Sequence, residues 1–524
     1  MAATAHPLAT LTAIEILKSG GTAVDAAIAA NAMLGLVEPT GCGIGGDLFA
    51  IVWDPSACSL VGLDASGRAP SGRTLESVRA QIGERRIPRV GPLSVTVPGA
   101  VDGWAMLGER YGRLTMAERL APAISVARDG APIPAVIARQ WAANLEAFSG
   151  FELDHAAIRS VYAPGGAAPE AGRLFRNPAL AATYELIGRG GRSAFYEGSI
   201  AEAIERTMVA LGGDLLASDV AAHTSDWVMP WSVGYRGIEV HELGPNTQGI
   251  AALQMLRMLE GFDLRSMSEV DAIHVSVEAK RLAFEDRARH YADPAMYQAP
   301  VERLLSNEYT DARRALIDAE RVREEVSPGL MEQGDTTYLC VADSDEMIVS
   351  LIQSNYRGMG SGVVVDGCGF MLQNRGELFA TDPLHPNCVA PGKRPFHTII
   401  PAFATRDGEP WLAFGLMGGA MQPQGHVQIL QHLLDFGLDL QQAGDAPRWR
   451  HEGSSEPTGE GADGIGRVHL EPGFSEEVER GLVAKGHRVV RSTSGFGGYQ
   501  AIQNVDGIYG GASECRKDGC ALGY

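Results

Sequence analysis

Residues 334–337, Gly-Asp-Thr-Thr, have the types and spacing of a self-activating nucleophile. A threonine hydroxyl reacts poorly at neutral pH unless a base lies beside it. An α-amino group has a reference pKa of about 7.7–8.0, so Thr336 can supply that base itself once the bond to Asp335 is broken. We therefore predict cleavage between Asp335 and Thr336. The alternative is an ordinary strand start, because β-branched residues favour strands.

The surrounding pattern predicts the elements that must hold this threonine. A charged, helix-like run precedes it at 301–334, and strand-like runs follow at 338–342 and 348–352. The spacing of apolar residues also predicts helices at 23–36, 116–146 and 268–293, and strands at 48–53 and 411–415. Thr336 is therefore expected at the start of a strand, with Ser354 at the far end of the next one.

Two glycines, Gly418 and Gly419, directly follow the strand-like run 411–415 and the residues Leu416 and Met417. They can form a simple turn, or they can bring two backbone N–H groups close to a developing alkoxide. Losing one such donor typically lowers a rate by about 10²–10³. Leu416 and Met417 are expected to pack in the core.

A second glycine cluster, residues 41–46, formally matches the dinucleotide-binding pattern G-x-G-x-x-G. Here a helix precedes the glycines and a strand follows them, whereas a nucleotide-binding loop runs from strand into helix. Close packing of glycine backbone near the site is the better interpretation. A nicotinamide-dependent oxidoreductase is therefore disfavoured.

Composition limits the classes of function further. The net charge is 44 − 64 = −20, which disfavours nucleic acid and anionic membranes as partners. Seven scattered cysteines and the lack of a signal-like start predict a reduced, cytoplasmic setting. The cysteine pair near the end, Cys515 and Cys520, has no second ligand cluster beside it, so a metal or redox role is disfavoured. No stretch is long and apolar enough to predict a membrane span.

Most of the chain resembles the γ-glutamyltransferase family. The resemblance is carried by GDTTYLCVADSDEMIVSLIQSNYRGMGSG (334–362), APGKRPFHTIIPAF (390–403), GLMGGAMQPQGH (415–426) and GGTAVDAAIAANAMLGLVEPTGCGIGGDLFAIVWD (20–54). It implies an α/β protein with the four-layer αββα sandwich of N-terminal-nucleophile hydrolases. It also implies a proenzyme cut into subunits 1–335 and 336–524 that stay intertwined, with no cofactor or metal.

The resemblance also implies roles for individual residues. Thr336 is the nucleophile, Ser354 orients its amine and hydroxyl, and Gly418 and Gly419 form the oxyanion hole. Asn355 and Tyr356 are expected beside them in the substrate pocket.

Three departures from the family pattern concern the substrate. Ser66 replaces an arginine that holds the γ-glutamyl carboxylate, and Leu378 replaces an aspartate that holds the α-amine. His397 and Thr398 replace two serines that grip the carboxylate. These changes resemble the acylase-like branch of the family, which includes cephalosporin (glutaryl) acylases and oxamate amidohydrolase.

The departures predict a new set of binding residues. Arg375 is expected to bind the substrate carboxylate, with Arg68 as second choice and His397 and Thr398 assisting. Glu377, beside Leu378, completes the predicted pocket. The alternative for Arg375 is an ion pair with Glu377 or a surface acid. Glutathione is therefore expected to be a weak substrate.

The sequence thus predicts a self-cleaving amidohydrolase or acyltransferase for a small acidic amide, glutathione-like, glutaryl-like or oxamate-like. The alternative from another class is an unprocessed, catalytically silent binding relative. The predicted partners are the small amide and the two subunits themselves, and a homodimer is possible. The natural amide, and the choice between water and an amine as acceptor, stay open.

Overall fold

A computed structural model of the uncleaved chain describes residues 1–323 and 335–524, and of Asp335 only the backbone. The strands are β1 (Ala2–Thr4), β2 (Asp47–Asp54), β3 (Ser59–Ala65), β4 (Ala131–Pro132), β5 (Leu174–Phe175), β6 (Asp226–Val228), β7 (Trp231–Tyr235), β8 (Ile238–Glu242), β9 (Asp335–Ala342), β10 (Ile348–Tyr356), β11 (Ala402–Arg406), β12 (Glu409–Leu416), β13 (Trp449–Glu452), β14 (Arg467–Leu470), β15 (Val489–Arg491), β16 (Tyr499–Val505), β17 (Ile508–Ser513) and β18 (Cys520–Leu522).

The helices are α1 (Pro7–Lys18), α2 (Ala23–Val37), α3 (Leu75–Ile82), α4 (Ala100–Tyr111), α5 (Met116–Asp129), α6 (Ala135–Phe148), α7 (His155–Tyr162), α8 (Pro178–Tyr196), α9 (Ser199–Ala210), α10 (Ala217–Ala221), α11 (Gly249–Leu259), α12 (Glu269–His290), α13 (Val301–Leu304), α14 (Asn307–Arg314), α15 (Met421–Leu434), α16 (Leu440–Asp445) and α17 (Glu476–Ala484). Two short 3₁₀ turns, Pro92–Ser94 and Arg375–Leu378, lie beside each other.

Two large sheets form the centre of the molecule. The first has the order β18-β1-β9-β10-β2-β3-β6, and the second has the order β17-β16-β12-β11-β8-β7. In the first sheet β9 pairs antiparallel with β10, placing Leu339 opposite Leu351. The central strands β2 and β10 are buried along their whole length, as their apolar sequences require.

The two sheets pack face to face, and helices cover both outer faces. Ser350 on β10 donates a hydrogen bond of 2.9 Å to the Ala402 carbonyl at the start of β11, across the interface. The ring of Tyr338 on β9 packs against Gly415 on β12, where any side chain would overlap it. Helix α2 packs on β9 and β10, and α11 and α15 pack on the second sheet. The predicted four-layer αββα sandwich is therefore confirmed.

The prediction of one helix over 116–146 is wrong. The chain forms α5 to Asp129 and α6 from Ala135, with the short strand β4 between them. Pro132 and Pro134 explain the break, because proline lacks the N–H that a helix interior needs and restricts the residue before it. The other predicted helices and strands lie within a few residues of their observed bounds.

Part of the predicted run 301–334 forms α13 and α14, and residues 324–334 lie outside the described part of the chain. Cys515 and Cys520 are both free thiols, as are the other five cysteines. Within residues 1–323 and 335–524, no helix is both long and apolar enough to cross a bilayer.

Candidate active site

Thr336 lies at the start of β9 and is 1% exposed. Its hydroxyl donates a hydrogen bond of 3.3 Å to Ser354 Oγ, near the end of the neighbouring strand β10. The pairing register shifts between Gln353 and Tyr356, so the strand bulges at Ser354. Bulges commonly re-aim side chains beside active sites. Here the bulge accompanies the approach of the two predicted catalytic hydroxyls.

Tyr356 holds the bulge in an unusual conformation. Its φ is +79°, a region that side chains other than glycine rarely adopt. Its backbone N–H donates to Ser354 Oγ at 2.8 Å, which orients that hydroxyl. Backbone strain of this kind concentrates at functional sites.

The glycine cluster 41–46 packs against this pair. A side chain on Gly41 would start 3.1 Å from the Thr336 carbonyl oxygen, and one on Gly46 would overlap the Ser354 carbonyl. The Gly41 carbonyl accepts a hydrogen bond of 3.2 Å from Asn355 N–H. Helix α2 precedes the cluster and β2 follows it, as predicted. The prediction of close backbone packing is confirmed.

Arg375 is fully buried and is the first residue of the 3₁₀ turn Arg375–Leu378. Its guanidinium stacks on the Tyr356 ring, 4.4 Å from the centroid, and Nη1 donates to Thr398 Oγ1 at 2.8 Å. Among the described residues, its Nε and Nη2 have no hydrogen-bond partner. Burial lowers the pKa of Arg375 to about 10. Glu377 pairs with Arg357 at 3.4 Å instead, so the predicted alternative of an Arg375–Glu377 ion pair is not observed.

His397 forms a buried pair with Asp47, the first residue of β2. Its Nε2 lies 2.8 Å from Asp47 Oδ2. Burial raises the pKa of Asp47 to about 6, and the nearby charge of Arg375 opposes that shift. Burial, and then the charge of Arg375, lower the pKa of His397 well below its usual value. Sequence reasoning missed Asp47, although an acid between a glycine cluster and a buried apolar strand is an available signal.

Gly418 and Gly419 follow β12 with φ of +108° and +59°. Within the described part of the chain, neither of their N–H groups has an acceptor, which an oxyanion hole requires. The Gly419 carbonyl accepts a hydrogen bond of 2.9 Å from Gln248 Nε2, which also donates to the Thr398 carbonyl at 2.5 Å. Gln248 was not singled out from the sequence, because a lone glutamine before a helix carries no pattern. Leu416 and Met417 are buried, as predicted.

These contacts join the predicted residues into one site. They run without a gap through Thr336, Ser354, Tyr356, Arg375, Thr398, Gln248 and Gly419. Residues from both proposed subunits take part, since Gln248 precedes the predicted cut.

Arg68 lies outside this chain of contacts. Its guanidinium donates to the Thr224 carbonyl at 2.9 Å and pairs with Asp226 at 3.4 Å, with the side chain 27% exposed. Ser66 is buried and donates to Asp64 at 2.6 Å. Leu378 is buried in the core beside the second sheet. Ser66 and Leu378, the two positions where the resemblance places an arginine and an aspartate, are therefore buried and uncharged here.

Comparison with known proteins agrees with the fold. A cephalosporin acylase from Bacillus halodurans is 40% identical in sequence and superposes with a TM-score of 0.92, covering 100% of this chain and 96% of the other. The fold is therefore that of the N-terminal-nucleophile hydrolases. The family model of gamma-glutamyltranspeptidase matches residues 9–524, and the chain belongs to that family.

Two curated relatives have full-length similarity. A glutathione hydrolase-like YwrD proenzyme of Bacillus subtilis (strain 168) and an oxamate amidohydrolase proenzyme of Klebsiella pneumoniae are each 34% identical. Each match covers 100% of this chain and 98% of the relative. Both relatives are named as proenzymes.

Proposed function

We propose that the protein is an autoprocessing N-terminal-threonine amidohydrolase that hydrolyses a small amide bearing a carboxylate. The observation that carries the proposal is the buried Thr336–Ser354 hydrogen bond at the end of two central strands. Cleavage before Thr336 would free its α-amine beside its own hydroxyl. The hydroxyl would then attack the amide carbonyl, and the amine leaving group would depart with the transferred proton. Water would release the acid from the acyl-enzyme.

Gly418 and Gly419 support the same mechanism. Within the described residues their N–H groups have no acceptor, so they are available to hold the negative oxygen of the tetrahedral intermediate. Such donors act strongly because they are fixed before the reaction and shielded from water.

Arg375 supports a carboxylate in the substrate. The fully buried guanidinium of Arg375 has two donor atoms without a partner among the described residues, which is costly unless an anion pairs with it. Leu378 stands where the resemblance places an acid for an α-ammonium group, so that position offers no countercharge here. We propose that glutaryl-like or oxamate-like amides are better substrates than glutathione; one 34% identical relative is named as an oxamate amidohydrolase.

One set of measurements tests the function. The purified protein is assayed side by side with glutathione, a γ-glutamyl anilide, a glutaryl anilide and oxamate, and its chains are sized by mass spectrometry. The proposal expects chains of 335 and 524 − 335 = 189 residues and fastest turnover on a substrate without an α-amine. A single uncut chain with no amidase activity would favour the binding-protein alternative.

Ser354→Ala should slow both maturation and turnover by roughly tenfold or more, because the Thr336 hydroxyl loses its aligned hydrogen-bond partner. The rate of chain cleavage and kcat for a glutaryl anilide are the measurements. Ser350→Ala is the control, since Ser350 is equally buried on β10 but bonds Tyr338 and Ala402. Equal effects in the two variants would reduce Ser354 to a structural residue.

Gly419→Ala should lower kcat by about 10²-fold, since a methyl group would crowd the proposed oxyanion position. Its φ of +59° is one that alanine adopts at a cost of roughly 1–2 kcal/mol, so the chain should still fold. Gly437→Ala is the matched control, with φ of +68° and open space around it. If both variants keep wild-type kcat, the glycine pair is a turn only.

A further inference from the structure

The contact between His397 and Asp47 assigns the position of the imidazole proton. Its ring is fully buried, and Nε2 lies 2.8 Å from the carboxylate of Asp47. An ionised carboxylate can only accept, so Nε2 carries the proton and donates it. In a neutral imidazole the other nitrogen, Nδ1, then has a free lone pair. His397 therefore presents an acceptor.

The carboxylate of Asp47 is held in place from its other side. Its Oδ1 accepts hydrogen bonds from Gly67 N–H at 2.9 Å and from Gly99 N–H at 3.1 Å. Both oxygens are thus used as acceptors, one by the backbone and one by His397. This arrangement fixes the direction of the hydrogen bond to the imidazole.

Nδ1 of His397 has no partner among the described residues. His426 provides a contrast within the same fold. Its Nδ1 bonds Glu242 at 2.6 Å, and its Nε2 accepts from Leu416 N–H at 3.2 Å, so both ring nitrogens serve the protein. A buried acceptor without a donor costs stability. The free nitrogen of His397 thus suggests a ligand, whereas His426 is structural.

The free nitrogen belongs to the neighbourhood of Arg375. Thr398, the next residue along the chain, accepts from Arg375, and the positive charge of Arg375 acts directly on the imidazole. The site therefore presents a cation, the Arg375 guanidinium, and a neutral acceptor, His397 Nδ1, to the same ligand. The cation suits a carboxylate, and the acceptor suits a hydroxyl or amide N–H.

We propose that Asp47 is a positioning residue that holds His397 as an acceptor for a neutral donor group next to the substrate carboxylate. The proposal rests on the proposed function and narrows its substrate class to acids with a hydroxyl or amide N–H on the neighbouring carbon. A charged ammonium would lack the countercharge that Leu378 has replaced.

The test is a matched substrate pair, glutaryl 4-nitroanilide and its counterpart with an acetamido group on the carbon next to the free carboxylate, because an amide N–H can only donate. The wild type should prefer the acetamido anilide by about tenfold in kcat/KM, the size of one neutral hydrogen bond. The difference should lie in KM, because the contact is present before and during reaction.

Asp47→Asn should abolish this preference. The amide oxygen of the introduced asparagine would keep the hydrogen bonds from the Gly67 and Gly99 N–H groups. The amide NH₂ would then donate to His397 Nε2. The imidazole proton would move to Nδ1, which would become a donor. His397→Gln should do the same, since its amide nitrogen can reach Asp47 while leaving no acceptor at the Nδ1 position. Glu242→Gln, in the other buried carboxylate–imidazole pair, should keep the tenfold ratio.

Equal rates on the two anilides in the wild type would overturn the inference, as would a preference that persists in Asp47→Asn or, should that variant fail to fold, in His397→Gln. Continued hydrolysis of both anilides in those experiments would leave the proposed function intact. A cleaved wild-type protein that hydrolyses neither anilide nor oxamate would instead contradict the proposed function.

Discussion

Thr336→Ala should remain a single chain of 524 residues and lose amidase activity by at least about 10⁴-fold. The reason is that one hydroxyl serves in both reactions of the proposed mechanism. In the precursor it would attack the carbonyl of Asp335, and in the mature protein it would attack the substrate. Mass spectrometry of the purified variant and its kcat/KM for a glutaryl anilide are the measurements.

Two control variants distinguish the role of the Thr336 hydroxyl from that of the neighbouring residues. Thr336→Ser keeps a hydroxyl at the same place and should still be cut at the same bond. Thr337→Ala removes the neighbouring hydroxyl, which is also buried but donates to the Gln353 carbonyl at 3.4 Å, and should mature normally. If Thr336→Ala is cut normally, or if only Thr337→Ala fails to be cut, Thr336 is not the nucleophile.

Arg375→Met should lower kcat/KM for a glutaryl anilide by about 10²-fold and leave that for a butyryl anilide, which has no carboxylate, almost unchanged. Truncating one member of a buried charge pair typically costs about 2–5 kcal/mol of binding, and the proposed second member is the substrate carboxylate. Methionine has a similar volume without the charge. The ratio of the two rates is the readout.

Thermal unfolding provides the control for Arg375. Arg448 is equally buried, and burial also lowers its pKa to about 10, but it pairs with Glu514 at 3.2 Å and donates to two backbone carbonyls. Arg448→Met should therefore lower the Tm but leave unchanged the ratio of kcat/KM for the glutaryl anilide to kcat/KM for the butyryl anilide. Arg375→Met should keep the Tm, because few protein contacts depend on that charge. An Arg375→Met protein with an unchanged ratio would show that the substrate carboxylate binds elsewhere.

The sequence by itself determined the local parts of this protein. Short strand-like apolar runs predicted β2, β9, β10 and β12, and the small-residue run at 23–36 predicted α2. The order of glycine cluster, threonine, serine and glycine pair predicted the members of the site, with the resemblance assigning their roles. These features depend on neighbours a few residues away, which a sequence shows directly.

Only the tertiary structure decided what each polar side chain faces. Asp47 and His397 are 350 residues apart in the chain, and Gln248 joins Thr398 to Gly419 over 150 and 171 residues. The stacking of two sheets creates these contacts and also buries Arg375 on Tyr356 while it leaves Arg68 at the surface with Asp226. Both arginines look alike in sequence, because burial and unpaired hydrogen-bonding atoms are properties of packing between distant segments.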